Sequence, residues 1–545
     1  MPVMEVVEAP FRSAVDRRSA TDRAHVGDIV GAMGTVASHD VGPRRSLRRR
    51  LVTLAAVMGP GLIVMAADND AGSLSVYAQA GQNHGLRLVW ILVLLAPVLI
   101  VNQEMAVRLG AVTGAGHARL IVERFGRMWG AFALGDLLVV NLLMIVTEFI
   151  GVTLALGYFG VSRYVAVPVA AAALVAVNST GSFRRWERAM YVLIATNVLM
   201  LPLVLLSHPH GGSGSGLGAG LVPNVPGGDE SLLLVIALVG ATVAPWQLFF
   251  QQSNVVDKRI TARWLRYERI DTVIGGVIVL AGGGAVMLAA STLHGSGVRF
   301  QDAGAVAAGL RAGSGSTVGA LFAVVLFNAS ILGAAAVTLS SSYAIGDYAG
   351  LRHSLHRKWR DAPAFYGSYI AAVLLGAAIV LVPGAPLGIV TTAVQALAGV
   401  LLPSALVFLL LLCNDPEVLG PWTNPRWLNM LGVSVVTVLI VLSGTLTVNT
   451  AFPDADPVLV APIIAAMGVI ALALWAYAMW GARHEPVADA DTPWQRATWT
   501  MPLAERIGPP GATRVRAVGL VVLRTYLLGA AALVVVKAIQ LALGA

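Results

Sequence analysis

Two carboxylates stand inside the first strongly apolar segment of this 545-residue chain. Asp68 and Asp70 lie in the stretch GPGLIVMAADNDAGSLSVYAQAG, residues 59–81, where most other side chains are apolar or small. A charge within a bilayer is costly, so such residues are generally paired or hydrated and lie on the path of an ion or substrate. Asp70 is therefore the first candidate cation ligand, whereas Asp68 could equally serve only to accept hydrogen bonds from a local turn.

The composition identifies the class of protein that must position these carboxylates. Hydrophobic residues make up 57% of the chain and charged residues 12%, against about a quarter charged in soluble proteins. Apolar runs of about 20 residues, each long enough to cross a bilayer as a helix, recur from residue 51 to residue 480. The chain is thus predicted to be an all-α polytopic membrane protein. Its net charge of +8 is no sign of nucleic-acid binding, because the basic residues fall in the connecting loops.

The apolar runs predict twelve core spans, with a basic connector after every second one. Connectors after spans two, four, six and eight read RFGR, FRRWER, DKRITARWLRYER and LRHSLHRKWR, whereas SHPHGGSGSGLGAG has no Lys or Arg. This asymmetry predicts a multi-pass protein of the plasma (inner) membrane with a cytoplasmic N-terminus. The spans are expected near 53–83, 87–110, 129–159, 163–178, 186–206, 231–255, 271–292, 316–344, 366–383, 387–412, 427–449 and 457–480.

Three regions follow from the same pattern. Residues 1–50 are expected to form a disordered basic cytoplasmic tail that ends in RRSLRRR. Residues 51–480 form the transmembrane domain. Residues 481–545 comprise a polar linker and an apolar C-terminal helix over 517–544, interrupted by Arg524 and Lys537, which we expect to span the membrane rather than lie on it.

Two of the predicted spans contain helix-breaking residues. The first has Gly-Pro-Gly at 59–61 ahead of the aspartates, and the sixth reads LVGATVAPWQLFFQQS at 238–253. These positions correspond if the domain consists of two five-helix repeats, over 51–206 and 231–412, followed by two further spans in 427–480. Interrupted helices at matching positions of two repeats indicate a transporter's substrate site, because unwound backbone there can face an ion.

Several short motifs share their order and spacing with one family. They are Gly59-Pro60-Gly61, Asp70-Ala71-Gly72-Ser73, Gln79-Ala80-Gly81, QEMAVRLGAVTG at 103–114, TEFIG at 147–151, FRRWER at 183–188 and NPRW at 424–427. Together they resemble the NRAMP (natural resistance-associated macrophage protein) divalent-metal transporters over spans one to twelve. The resemblance implies a LeuT-type (APC superfamily) 5+5 inverted repeat with broken first and sixth helices. It also implies transport rather than enzymatic activity, with divalent cations as substrate and no cofactor.

The departures from the family pattern bear on the metal. Where the family has the asparagine of D-P-G-N, the sixth-span methionine and the histidine two places later, this chain has Ser73, Ala244 and Trp246. In the tenth span Gln395 matches the first family glutamine, but the second is replaced by Leu401. Ile145 stands where the family has an aspartate on its proton route.

These replacements favour a hard cation. A thioether selects softer metals such as manganese, iron and cadmium, whereas Mg²⁺ prefers oxygen ligands and retains several waters. The expected metal site contains Asp70, Asp68, Ser73, Gln247 and the backbone near Ala71, Ala244 and Pro245. Glu148, Glu104, Trp246 and Gln395 are candidates for the ion pathway or its gate. The pattern resembles the NRAMP-related magnesium transporters, which implies Mg²⁺ transport with Mn²⁺ as a second cation.

Proton coupling is expected to be weak, since no histidine lies in a predicted span. The alternatives are a proton-coupled Mn²⁺/Fe²⁺ symporter, a cation channel and an amino-acid symporter of the same fold. Asp70 argues against the amino-acid symporter, because it would repel a substrate carboxylate. A membrane enzyme would need a metal-ligand histidine set or a nucleophile with its base, which the predicted spans lack.

Overall fold

The computed structural model describes residues 23–40, 42–208, 220–224, 229–383, 387–451, 493–502 and a few positions beyond 460. Within these ranges the chain is helical apart from one small β-hairpin. The hairpin strands are β1 (Ile29–Gly31) and β2 (Gly34–Val36), and the helices in chain order are α1 (Leu47–Val57), α2 (Pro60–Asp68), α3 (Ala71–His84), α4 (Val89–Thr113), α5 (His117–Phe125), α6 (Arg127–Tyr158), α7 (Arg163–Asn178), α8 (Phe183–Thr196), α9 (Met200–Ser207), α10 (Asp229–Thr242), α11 (Pro245–Asp257), α12 (Leu265–Ser291), α13 (Ala303–Ser314), α14 (Ser316–Ala349), α15 (Pro363–Leu381), α16 (Leu387–Cys413), α17 (Pro416–Leu419), α18 (Arg426–Ala451) and α19 (Pro493–Thr498).

The described residues contain nine helical segments long and apolar enough to span a membrane, or ten if the bent pair α1–α2 is one span. The fourth predicted span corresponds to α7, which is apolar but only 16 residues long. The predicted twelfth span at 457–480 and the C-terminal helix at 517–544 lie almost wholly outside the described residues. The expected number of twelve core spans therefore stays a prediction.

Burial within the bundle distinguishes central from peripheral helices. The segment α10–α11 is 89% buried over its most apolar window and the tenth predicted span is 83% buried, whereas residues 183–207 are only 17% buried. Because both kinds of segment are equally apolar, the exposed one must face lipid. The broken sixth span thus lies at the centre of the protein.

The first predicted span is interrupted twice rather than once. The axes of α1 and α2 differ by 54° at Met58 and Gly59, where Gly59 has φ +145° and a Cβ atom would collide with Glu187. Pro60 then opens α2 at a position where its missing N–H costs nothing. Asp271 of α12 accepts hydrogen bonds through one oxygen from the N–H groups of Gly59, Gly61 and Leu62, at 3.0, 2.8 and 3.2 Å. The first turn of α2 is thereby anchored to α12.

The breaks expected at the substrate site are present in both repeats. Helix α2 ends at Asp68 and α3 begins at Ala71, which leaves Asn69 and Asp70 between them. Helix α10 ends at Thr242 and α11 begins at Pro245, with Ala244 in an extended conformation (φ −112°, ψ 150°). The broken first and sixth helices are present as predicted.

The prediction of a disordered tail over residues 1–50 is wrong for its described part. Residues 29–36 form the β1–β2 hairpin, with Ile29 opposite Val36, and α1 already begins at Leu47. The hairpin is held by polar groups of distant elements: Arg184 donates to the Gly31 carbonyl at 3.1 Å, and the Ala32 N–H donates to Glu187. Such anchors do not appear in the local sequence pattern, which explains the error.

Candidate metal site

Asp70 occupies the gap between α2 and α3 and is almost fully buried. It is the N-cap of α3, and its Oδ1 accepts a hydrogen bond from the Ser73 N–H at 2.7 Å. Its other oxygen has no hydrogen-bond partner among the described residues. A buried carboxylate oxygen without a donor is costly, and a bound cation would satisfy it.

Asp68 faces the second break through a chain of amides. Gln247 in the first turn of α11 donates to one oxygen of Asp68, and Gln103 of α4 donates to Gln247 Oε1 at 3.1 Å. All three side chains are buried. The predicted pair Asp68 and Gln247 is thus in direct contact, and the second oxygen of Asp68 makes no hydrogen bond within the described ranges.

Two further groups lie against Asp70. Glu148 of α6 accepts a hydrogen bond from the Ala71 N–H at 3.2 Å, and Gln395 of α16 lies with Nε2 3.5 Å from Asp70 Oδ1. Gly333 of α14 leaves room for both carboxylates: a Cβ atom there would lie 2.7 Å from Asp70 Cβ and 2.8 Å from Glu148 Oε2. Glu148 and Gln395 therefore border the candidate site, and their role in the ion pathway stays a prediction.

Ser73 and Tyr77 join the two breaks from the side of α3. The Ser73 hydroxyl donates to the carbonyl of Ala241 at 2.9 Å, and the Tyr77 hydroxyl lies 3.2 Å from that of Thr242. Ser73 thus supplies a hydrogen-bond donor to a backbone carbonyl at the end of α10. It holds the broken helices together from a position beside the carboxylates.

Ala244 and Trp246 occupy the second break itself. The Ala244 carbonyl accepts the Gln247 N–H at 3.2 Å, and the small Ala244 side chain is buried. Trp246 is fully buried, its carbonyl accepts a hydrogen bond from Ser340 at 3.0 Å, and its ring packs against Phe250. These contacts fit a wall of the site better than a metal ligand.

Two of the candidate residues have other partners in the structure. Ala71 is the first residue of α3, and its carbonyl already accepts a hydrogen bond from the Ser75 hydroxyl at 2.8 Å. Glu104 is paired with Arg108 at 3.3 Å and with Arg269 at 2.6 Å, away from Asp68 and Asp70. Helical phase is the reason: on α4 it is the neighbouring Gln103 that faces the site.

Gln103 and Tyr77 are site residues that the sequence analysis missed. Both lie in the quoted motif stretches, and a buried amide or hydroxyl in an apolar helix is itself a signal of a polar partner. Which of the two polar neighbours at 103 and 104 points inward depends on helix packing, which the motif alone does not specify.

The charge at the site is unbalanced. Asp68, Asp70 and Glu148 form no ion pair with a Lys, Arg or His side chain among the residues that the structure describes. Three buried carboxyl groups without a cationic partner favour the binding of a cation or a proton. The described residues contain no cluster of three or more His, Cys, Asp or Glu side chains in metal-binding geometry, so a cation here would take amide, backbone or water oxygens as well.

Two apolar side chains near the site, Met65 and Ile145, are engaged in helix packing. Met65, one turn before Asp68, packs against Gly275 of α12, where a Cβ atom would lie 2.6 Å from its side chain. Ile145 packs against Gly376 of α15 in the same way, at 2.5 Å. The site therefore has neither the thioether nor the carboxylate that the family pattern places there.

Comparison with known proteins identifies the family. The family model described as natural resistance-associated macrophage protein-like (Nramp) matches residues 61–449, which contain the breaks at 69–70 and 243–244 and every residue of the candidate site. The chain belongs to the Nramp family. It is accordingly a multi-pass membrane transporter of divalent metal cations and not an enzyme.

Curated relatives and solved structures agree with this assignment. The chain is 29% identical to the divalent metal cation transporter MntH 1 of Pseudomonas aeruginosa over 420 residues, 72% of this chain and 91% of that protein. It is 25% identical to MntH of Deinococcus radiodurans over 443 residues, 76% of this chain and 93% of the relative. Its fold superposes on the Eremococcus coleocola manganese transporter with a TM-score of 0.63 at 21% identity, covering 81% of this chain and 97% of the transporter. This likeness confirms the predicted LeuT-type inverted-repeat fold.

Proposed function

We propose that this protein moves Mg²⁺, and Mn²⁺ as a second cation, through a partly hydrated site between its two helix breaks. The observation that carries the proposal is the ligand chemistry: within the described ranges one oxygen each of Asp68, Asp70 and Gln395 is buried without a hydrogen bond, and Ala244 supplies no sulfur. Oxygen ligands suit Mg²⁺ and do not enrich softer metals.

The size of the side chain at position 244 supports the same interpretation. Mg²⁺ gives up its waters reluctantly and is commonly held through one or two carboxylates with several waters retained. Alanine occupies less volume than methionine, which leaves space beside Asp68 and Gln247 for retained water. Serine at position 73, engaged with the Ala241 carbonyl, likewise leaves Asp70 as the principal anion.

The driving force in this proposal is the membrane potential rather than a proton gradient. Ile145 and Trp246 stand where a proton-coupled family member has aspartate and histidine. A divalent cation gains about 4.6 kcal/mol per 100 mV of inside-negative potential, which suffices for accumulation without protons. In this proposal the protein lies in the plasma (inner) membrane with its N-terminus on the cytoplasmic side. Glu148, Gln395 and Trp246 lie along the ion path.

Proton-coupled Mn²⁺ uptake is the second candidate. The relatives named above are called divalent metal cation transporter and manganese transporter, and Glu148 remains beside Asp70 as a group that could carry a proton. This candidate requires the site to select Mn²⁺ without a thioether.

The deciding experiment is ion flux into proteoliposomes with an internal pH dye. Mg²⁺ and Mn²⁺ are compared with and without an imposed potential, and Asp70→Asn serves as the control with weakened cation binding. Mg²⁺ entry that follows the potential without internal acidification supports the proposal. Mn²⁺ entry with acidification and no Mg²⁺ entry overturns it in favour of the second candidate.

A further inference from the structure

A polar stripe runs along α11 away from the candidate site. Gln247, Gln251, Asn254 and Lys258 are spaced by four, three and four residues, so they lie on one face of the helix. All four side chains are fully buried. Gln251 lies one turn, about 6 Å, beyond the amide that contacts Asp68.

The stripe faces two carboxylates of α12. Gln251 Nε2 lies 3.5 Å from Glu268 Oε1, and Asp271 follows Glu268 by three residues on the same helix face. One oxygen of Asp271 is occupied by the three N–H groups at the start of α2. Because α2 is nine residues long, this end lies about 13 Å from Asp68.

Several oxygens in this region lack a donor. Within the described ranges, Gln251 Oε1, Asn254 Oδ1, Glu268 Oε2 and Asp271 Oδ1 are buried and make no hydrogen bond. Four such atoms on two facing helices are unusual, since buried polar atoms are nearly always satisfied. The Gln251 amide faces Glu268 through its nitrogen, which leaves its oxygen without a donor, and Asn254 makes no hydrogen bond through either amide atom within the described ranges.

The formal charges in this region do not balance. Glu187, Glu268 and Asp271 contribute three negative charges when ionised, and Lys258, paired with Glu187 at 2.5 Å, contributes one positive charge. Two negative charges remain. A divalent cation supplies that balance together with the missing partner for the free oxygens.

We infer that Glu268, Asp271 and Gln251, with Asn254 beside them, form a second divalent-cation site one to two helical turns from the first. It binds hard cations of the Mg²⁺ class through oxygen ligands only. On the ion path it is the next binding site after the candidate metal site, toward the N-terminal end of α2. This inference rests on the proposed function, because it assumes that the breaks conduct a divalent cation.

The test counts bound Mn²⁺ on the purified full-length protein by electron paramagnetic resonance, in which the free hydrated ion is visible and the bound ion is not. The wild type is expected to bind two equivalents, and Asp70→Asn and Glu268→Gln one each. Glu268→Gln keeps the size of the side chain. Asp136→Asn, at a buried carboxyl that accepts a hydrogen bond from Ser404 on α16, is the matched control and is expected to retain both.

The outcomes separate the two proposals. One equivalent in the wild type, lost in Asp70→Asn but kept in Glu268→Gln, overturns the second site and leaves the proposed function intact. Two equivalents, of which Mg²⁺ displaces only the one that Glu268→Gln removes, support the second site and contradict Mg²⁺ as the substrate of the first. If Asp136→Asn also loses both equivalents, the effect of Glu268→Gln comes from a general disturbance of the fold, and the inference is overturned.

Discussion

Lys258 and Glu187 form an ion pair with Nζ and Oε1 2.5 Å apart, and both side chains are fully buried. Lys258 also donates to the Met58 carbonyl, and Glu187 accepts the Ala32 N–H of the hairpin. The pair thus connects the ends of α8 and α11 with the break before α2 and with the N-terminal segment.

Removing one member of this pair is expected to destabilise the protein. Lys258→Met leaves Glu187 charged and buried, which should lower the free energy of unfolding by about 3–5 kcal/mol. The double variant Lys258→Met/Glu187→Gln removes the charge, keeps an acceptor for Ala32 and should recover much of the loss. Thermal unfolding in detergent measures both; a double variant as unstable as the single one would contradict this account.

Asp70 can be tested for its charge separately from its capping role. Asn caps helices about as well as Asp, whereas Ala costs about 1 kcal/mol. Asp70→Asn should therefore keep the melting temperature of the wild type but reduce apparent cation affinity by about tenfold or more, the equivalent of roughly 1.4 kcal/mol. Asp70→Ala should lose both. Flux and thermal unfolding on the same preparations distinguish the two effects, and normal flux in Asp70→Asn would remove Asp70 from the site.

Position 244 should control metal selectivity. Ala244→Met adds a thioether beside the break and is expected to raise Cd²⁺ uptake relative to Mg²⁺ by about tenfold or more. Ala244→Leu is the matched variant, since it fills similar space without sulfur. It should reduce Mg²⁺ uptake with no gain for Cd²⁺; an equal gain in both variants would assign the effect to volume.

Gly333 provides a steric test of the space around the carboxylates. In Gly333→Ala the new methyl group would meet Asp70 Cβ and Glu148 Oε2 at 2.7 and 2.8 Å, so transport should fall strongly. Gly284 of α12 has open space at the equivalent point, and Gly284→Ala should leave transport unchanged. Flux through the two variants, normalised to folded protein, makes the comparison; equal flux would mean that the Asp70 region tolerates displacement.

His117 should make stability depend on acid pH. The side chain is fully buried at the start of α5, the short helix that connects the spans α4 and α6. Its Nδ1 lies 2.8 Å from Gln252 Oε1. Burial lowers the pKa of His117 from 6.5 to about 4, despite the opposing effects of the Gln252 hydrogen bond and the Asp347 carboxylate. The unfolded chain therefore binds more protons than the folded one between these values.

The sign of the effect follows directly. Stability is fully present above pH 6.5 and falls as the pH drops toward 4, by up to about 3 kcal/mol. His117→Gln, which keeps a polar contact for Gln252, should flatten the melting temperature between about pH 7 and pH 5. His353 has the opposite sign: burial is the largest single effect and lowers its pKa, but the Asp347 carboxylate, the Leu351 carbonyl and Asp257 together outweigh it and raise the pKa of His353. An unchanged pH profile in His117→Gln would contradict the assignment.

The sequence allowed prediction of the breaks but not of every group that faces them. Pro245 and the Gly-Pro-Gly at 59–61 restrict the backbone at their own positions, so the helix breaks can be predicted from the residue types alone. An aspartate in an apolar run is likewise recognisable without knowledge of the direction of its side chain. The choice between Gln103 and Glu104 depends on the rotation of α4 against α11, and the order of residues 29–36 depends on Arg184 and Glu187, which lie far away in the chain. Neither relationship has a local signature.

The single oxygen of Asp271 that accepts three N–H groups has a kinetic consequence. Any tilt of α2 away from α12 lengthens all three hydrogen bonds together, because they converge on one atom. Intermediate tilts lose this stabilisation without gaining any replacement. The motion of α2 should therefore be a switch between two discrete positions with a barrier between them. The time that α2 spends in the position bound to α12 is determined largely by the Asp271 carboxylate.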